Sequence, residues 1–136
     1  MDDLNFRVIE LEYQQASALF QRGFELVFGL VRGFLYGNAL IAGAIGLSSS
    51  RQLVLVLSAA GAVGSGMALV LHVRLARVVR MWLARAKDLE TEFGADLYTK
   101  TFLGEVFMRR QSPLAPVFYA SFVFGWLALL FLKIPN

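Results

Sequence analysis

The chain has 136 residues, of which 57% are hydrophobic and 17% are charged, and its formal net charge is +3. Soluble domains carry about 25% charged residues, so this composition disfavours a soluble globular protein and indicates a membrane protein. Cysteine is absent, which excludes disulfides, thiolate metal sites and a thiol nucleophile. At this length we expect a single membrane domain over residues 1–136.

The N-terminal part of the chain predicts one long helix over residues 4–47. Apolar residues recur there at the three-and-four spacing of an amphipathic helix, at Phe6, Ile9, Tyr13, Ala16 and Phe20. From Phe24 onward apolar residues predominate. A hydrocarbon core about 30 Å thick needs roughly 20 helical residues to cross it, so we predict a first span at about residues 28–47.

A second long helix is predicted over residues 53–93, after the polar residues 48–52. Residues 53–71 carry no charge, which predicts a second span at about residues 53–72. The helical spacing of apolar residues continues beyond this span to Phe93. Because the turn between the helices is short, we expect them to run antiparallel and to extend together outside the membrane.

Two further helices are predicted after the second one. Residues 96–110 carry their large apolar side chains on one side, which is typical of a helix at the cytoplasmic membrane surface. Residues 114–132 are long and apolar enough for a third span, with a re-entrant or surface-lying segment as the alternative. The predicted fold class is all-α integral membrane: a long antiparallel transmembrane helical hairpin with a cytoplasmic extension, plus a third C-terminal transmembrane helix.

Lys and Arg are distributed unevenly around the predicted spans. Arg51 lies in the turn, Lys133 lies at the C-terminus and Arg32 lies within the first span, whereas the rest of the 13 fall on the opposite side. Cytoplasmic segments of membrane proteins carry an excess of these residues. The N-terminus and residues 72–113 are therefore predicted to be cytoplasmic, with the spans in a bacterial inner membrane.

Small residues recur at every fourth position in both spans, at Gly29, Gly33 and Gly37 and at Ser58, Ala62 and Gly66. This spacing leaves a smooth helix face that another helix backbone can approach closely. The approaching helix is either the other span of the same chain or a second copy, and the sequence leaves both open. We expect a homo-oligomer surrounded by membrane lipids.

Two polar residues interrupt the first predicted span. Arg32 carries a charge that is costly within hydrocarbon and that usually marks function, although a long Arg side chain can also reach the headgroups. Asn38 lies deeper, where its amide either ties helices together or lines a polar path. Both are candidates for the lining of a pore.

A turn centred near residue 50 would bring oppositely charged residues of the two helices together. Glu25 would lie beside Arg74 and Arg77, and further out Glu10 and Glu12 would lie beside Arg85 and Lys87. Exposed ion pairs stabilise by only about 0–1 kcal/mol each, so apolar contacts must supply most of the stability. Basic residues of the second helix have a second predicted role, which is contact with anionic lipid or with a cytoplasmic protein. The residues predicted for this role are Arg80, Arg85 and Lys87.

The sequence contains no recognisable catalytic motif. It has no phosphate-binding glycine loop, and His72 is the only histidine, so a metal site and a Ser-His-Asp arrangement both lack support. We predict a non-enzymatic protein without a cofactor. Nucleic acid is not an expected partner, because the cytoplasmic excess of basic residues accounts for the basic face of the second helix.

Two short segments flank the predicted hairpin, residues 13–16 (YQQA) and residues 85–94 (RAKDLETEFG), and the latter is followed by Leu97-Tyr98. Through these segments, over roughly residues 5–98, the chain resembles the small bacterial two-span membrane proteins of the SLATT-like type, found beside nucleotide-signalling or defence genes. The resemblance implies an antiviral defence effector that oligomerises in the inner membrane and compromises it when triggered. The third predicted span is additional to the two-span plan.

Three functions are compatible with these features. The leading hypothesis is a homo-oligomeric pore-forming or membrane-disrupting effector whose cytoplasmic extension senses a trigger. A non-conducting scaffold or accessory subunit that recruits a cytoplasmic protein is the second. A holin-like lysis protein is the third, since small size, three spans and cytoplasmic charge all fit it.

Overall fold

The computed structural model describes residues 3–93 and 114–132, and they form three helices. Helix α1 covers Asp3–Leu47, helix α2 covers Arg51–Phe93 and helix α3 covers Leu114–Leu132. All three are long and apolar enough to cross a membrane, which confirms for the described residues the prediction of an all-α protein with three potential spans. The helix predicted over residues 96–110 lies outside the described residues.

Helices α1 and α2 both continue far beyond the length of a membrane span. They have 45 and 43 residues, and at 1.5 Å per residue each is about 65 Å long, roughly twice the hydrocarbon thickness. Helix α2 does not end near His72, because neither Gly nor Pro interrupts the sequence from there to Phe93.

Ser50 starts helix α2 two residues earlier than the sequence predicted. Its Oγ accepts a hydrogen bond from the Leu53 N–H at 3.4 Å, and its carbonyl accepts one from the Val54 N–H at 3.1 Å. These bonds define Ser50 as the N-cap, the position at which a serine oxygen satisfies an otherwise unpaired amide. Residues 48–50 thus form the whole connection between α1 and α2.

The chain divides into two compact units, each containing part of α1 and part of α2. Unit 1 comprises Met1–Val27 and Arg74–Ser112, and unit 2 comprises Phe28–Val73 and Pro113–Asn136. Helix α3 therefore belongs to unit 2.

Unit 1 is held together by an apolar core between its two helical segments. The buried residues recur at helical spacing, at Ala16, Phe20 and Val27 of α1 and at Val79, Leu83, Ala86 and Leu89 of α2. Burying a large apolar side chain stabilises by about 1.5–3 kcal/mol, so this core stabilises the pairing of the two helical segments.

The core of unit 2 is aromatic and joins all three helices. Phe34 of α1, Ala68 of α2 and Tyr119 of α3 are buried together. The Phe34 ring lies edge-on to the rings of Tyr119 and Phe122, with centroid distances of 4.7 and 5.0 Å. Such edge-to-face contacts add about 0.5–1.5 kcal/mol each beyond the area they bury. Helix α3 is thus packed into unit 2 through aromatic residues.

Gly23 lets α1 and α2 approach closely in unit 1, and we predict that Gly23→Ala destabilises the protein. A Cβ built on Gly23 would lie 2.7 Å from Val79 Cγ2, and Val79 is fully buried. Overpacking costs about 1–3 kcal/mol, more than the roughly 1 kcal/mol that Ala gains in helix propensity. Denaturant unfolding in detergent measures the difference. The double variant Gly23→Ala/Val79→Ala should recover part of the loss, and an additive double variant would contradict the contact.

Candidate functional site

Asn38 is the centre of a buried polar cluster in unit 2. The residue is 8% exposed, and its Nδ2 donates a hydrogen bond to the Phe34 carbonyl at 2.8 Å. Its Oδ1 accepts one from Trp126 Nε1 at 2.6 Å and one from Ser65 Oγ at 3.4 Å. These bonds join α1 to α2 and α3, so the Asn38 side chain is a packing contact within the chain, the first of the two roles the sequence allowed.

Gly61 makes room for the indole that reaches Asn38. A Cβ on Gly61 would lie 2.7 Å from Cδ2 and from Cε2 of Trp126. The indole is 6% exposed, and a buried Trp needs a partner for its N–H, which Asn38 supplies. This contact was not predicted from the sequence. The first predicted span contains a single Asn and the third a single Trp, but neither residue indicates its partner.

Ser58 is the inward-facing member of the row of small residues that it forms with Ala62 and Gly66. Ser58 is completely buried, whereas Ala62 and Gly66 are half-buried. The physical reason is the helical pitch: at 3.6 residues per turn, each step of four residues rotates the position by about 40°. A row that starts on the inward face at Ser58 has therefore turned away from it by Gly66.

Ser58 and Ser65 provide a matched pair of substitutions on the buried face of α2. Within the described part of the chain the Ser58 Oγ has no hydrogen-bond partner, whereas the Ser65 Oγ donates to Asn38. An unsatisfied buried hydroxyl costs about 1–3 kcal/mol. We therefore expect Ser58→Ala to leave stability unchanged or raise it, and Ser65→Ala to lower it by about 1 kcal/mol. Thermal unfolding in detergent compares them, and a larger loss for Ser58→Ala would contradict this assignment.

Gly29, Gly33 and Gly37 lie along an open groove in unit 2. A Cβ built on any of the three would meet no atom within 4 Å. With residues of α2 that include Ala60 and Gly64, they line a groove of about 360 Å³. The second helix of the same chain therefore leaves these glycines uncovered.

Arg32, the other polar residue of the first predicted span, is exposed. Its position is six residues from Asn38, which is buried, and six residues correspond to a rotation of about 240° on a helix. The two predicted pore residues therefore lie on different faces of α1. Among the residues that the structure describes, no ion pair involves Arg32.

Within unit 1 an ion pair joins Arg85 Nη2 to Glu12 Oε2 at 2.6 Å, which confirms the predicted pairing of these two residues. The predicted pairing of Glu25 with Arg74 or Arg77 is wrong, because no ion pair links them within residues 3–93. Gly23 and Val27, two positions either side of Glu25, are buried. A two-residue step rotates by about 200°, so Glu25 points away from α2.

A second polar contact crosses the core of unit 1. The Tyr13 hydroxyl donates to Glu90 Oε1 at 3.2 Å, and Glu90 is completely buried. Glu90 was not among the residues predicted from the sequence. The available signal was its place on helix α2 next to Leu89 and four residues after Ala86, both of which are buried.

His72 and Tyr119 meet between α2 and α3 of unit 2. The distance from the Tyr119 hydroxyl to His72 Nδ1 is 3.2 Å. The contact strengthens the packing of α3. Over residues 3–93 and 114–132 no group of three His, Cys, Asp or Glu side chains could hold a metal ion.

No protein-family model, curated protein or solved structure matches the chain.

Proposed function

We propose that the chain is an integral protein of a bacterial inner membrane, with α1 and α2 as a long antiparallel transmembrane hairpin and α3 as a third span. The order of the contacts supports this arrangement. In unit 2 Asn38 contacts Ser65, and in unit 1 Tyr13 contacts Glu90, so low positions on α1 pair with high positions on α2. The distribution of Lys and Arg supports a cytoplasmic N-terminus.

The protein assembles into a homo-oligomer through the groove lined by Gly29, Gly33 and Gly37. The observation that carries this proposal is the open space over all three glycines. In lipid, helices associate through close backbone packing, for which small residues are required. The opposite wall of the groove is also built of small residues, among them Ala60 and Gly64. Because both walls are built of small residues, a helix of a second copy can enter the groove and approach the backbone closely.

Assembly permeabilises the membrane, as in a pore-forming or membrane-disrupting effector. Arg32 is the residue that supports this step, because it is an exposed charge within the first predicted span and an isolated charge facing lipid is costly. Around the axis of an oligomer the same side chain would face water. Asn38 is not part of this lining, because its amide is bonded within the chain.

A second candidate is a membrane scaffold that recruits a cytoplasmic protein. The observation in its favour is the exposure of large aliphatic residues along α1 in unit 1: Val8 at 50%, Leu11 at 58%, Leu19 at 41% and Leu26 at 56%. Exposed apolar residues that cluster outside a membrane commonly mark a protein interaction surface. In the effector this surface would bind the molecule that triggers permeabilisation. In the scaffold it would bind the cytoplasmic protein that the scaffold recruits.

Ion flux through liposomes containing the purified protein separates the two candidates. The effector should release a trapped ion and collapse an imposed potential. Because Arg32 is positive, Arg32→Gln should shift the permeability ratio away from anions, whereas Arg51→Gln in the turn should not. Liposomes that stay tight, together with a membrane potential that survives induced expression in cells, would reject the effector and favour the scaffold.

A further inference from the structure

The structure separates the basic residues of α2 in unit 1 into two groups. Arg85 is neutralised by Glu12 at 2.6 Å. Arg80 is half-buried, and its Nε donates to the Ala76 carbonyl at 3.2 Å. Lys87 is half-buried as well. The three residues predicted from sequence to contact lipid or a partner are thus the less available ones.

Arg74 and Arg77 form the second group, and both are exposed. Within the described residues no ion pair neutralises either one. They are three residues apart, so their side chains emerge as neighbours on the same side of the helix. Two adjacent guanidinium groups repel each other, and an anion placed between them removes that repulsion and accepts hydrogen bonds from both.

Apolar side chains share this face of α2. Val78 is 45% exposed and Met81 is 56% exposed. With Arg74 and Arg77 they follow the i, i+3, i+4, i+7 spacing of one helical face. The nearest acidic residue on this face is Asp88, about 16 Å along the axis from Arg77. The face therefore combines positive charge with exposed hydrophobic surface.

The position of this face along the sequence indicates its ligand. Arg74 lies three residues after the uncharged residues 53–71 of the second predicted span. At such a boundary guanidinium groups reach the phosphate level while apolar neighbours contact the glycerol and upper acyl region. A free phosphate ion would use only the two arginines, whereas a phospholipid uses the arginines and the apolar residues together.

We propose that Arg74 and Arg77 bind the phosphate of an anionic phospholipid, with Val78 and Met81 against its acyl chains. This inference rests on the membrane insertion proposed above, and it does not depend on permeabilisation. Anionic lipid contributes about 1 kcal/mol for each basic residue near the surface, which corresponds to roughly a fivefold preference per arginine.

Native mass spectrometry of the full-length protein, purified in mild detergent with equal amounts of phosphatidylglycerol and phosphatidylcholine, tests the proposal. The wild type should retain phosphatidylglycerol preferentially. Arg74→Gln/Arg77→Gln should lower the retained ratio by roughly 25-fold, and Val78→Ser/Met81→Ser should lower it less. Arg85→Gln is the matched control, and its ratio should match that of the wild type.

An unchanged ratio in Arg74→Gln/Arg77→Gln, or an equal loss in Arg85→Gln, would overturn the proposal. Displacement of the lipid by inorganic phosphate at the same concentration would also overturn it, because the site would then bind phosphate ions. Circular dichroism checks that each variant stays helical. A protein that resists carbonate extraction from membranes yet shows no lipid preference would refute this inference and leave the proposed insertion intact.

Discussion

Replacing Gly61 with Ala is expected to displace the Trp126 indole and lower the free energy of unfolding of unit 2 by about 3 kcal/mol. The new Cβ would lie 2.7 Å from two indole carbons, so the ring must move. Overpacking costs about 1–3 kcal/mol. The movement also breaks the bond from Trp126 Nε1 to Asn38 Oδ1, and weakening a buried hydrogen bond adds about 1–2 kcal/mol.

Gly66→Ala is the matched control on the same helix, because a Cβ there meets no atom within 4 Å and Gly66 does not line the groove. It should be neutral or stabilising, since Ala has the higher helix propensity. Denaturant unfolding in detergent, followed by circular dichroism and Trp fluorescence, compares the two variants. Equal stability of Gly61→Ala and Gly66→Ala would show that α3 does not pack against Gly61.

Gly33→Leu is expected to lower the oligomer number and to abolish membrane permeability together. Because no atom lies within 4 Å of a Cβ at this position and the groove beside it holds about 360 Å³, we expect the single chain to accommodate the leucine and to keep or increase its helicity. The leucine instead fills the groove that a neighbouring copy would enter. Loss of about 1.4 kcal/mol at an interface between two copies weakens their association tenfold.

Light scattering in detergent and ion flux on the same preparation measure this effect. Gly43→Leu is the control, because Gly43 is equally open but does not line the groove. That variant should keep both the oligomer and the flux. A Gly33→Leu protein that remains oligomeric and still leaks would remove the glycine groove from the proposed mechanism.

The sequence predicted the features that depend on local periodicity. Three-and-four spacing placed Ala16 and Phe20 in a helical ridge, and both are buried in unit 1. The extent of α2 beyond His72 likewise follows from an unbroken run of helix-forming residues. Each of these features can be predicted from the sequence of a single helix, because the face on which a residue lies depends only on its position along that helix.

Features that depend on how helices are rotated against each other could not be predicted in this way. Glu25 was assigned a partner from distance along the hairpin, yet its neighbours Gly23 and Val27 face the core, which turns Glu25 outward. The bond between Asn38 and Trp126 joins residues 88 positions apart. Nothing in the local pattern around either residue indicates which of several apolar faces of α3 would contact α1.

Cysteine cross-linking in native membranes tests self-association through the groove most directly, since the chain contains no cysteine of its own. Gly33→Cys places a thiol in the groove, and Val63→Cys places one at an exposed position of α2 outside it. With a short bis-maleimide, Gly33→Cys should give covalent dimers at twice the 15.1 kDa chain mass, and Val63→Cys should remain monomeric. A Gly33→Cys protein that stays at the monomer mass, or that cross-links no more than Val63→Cys, would contradict assembly through this groove.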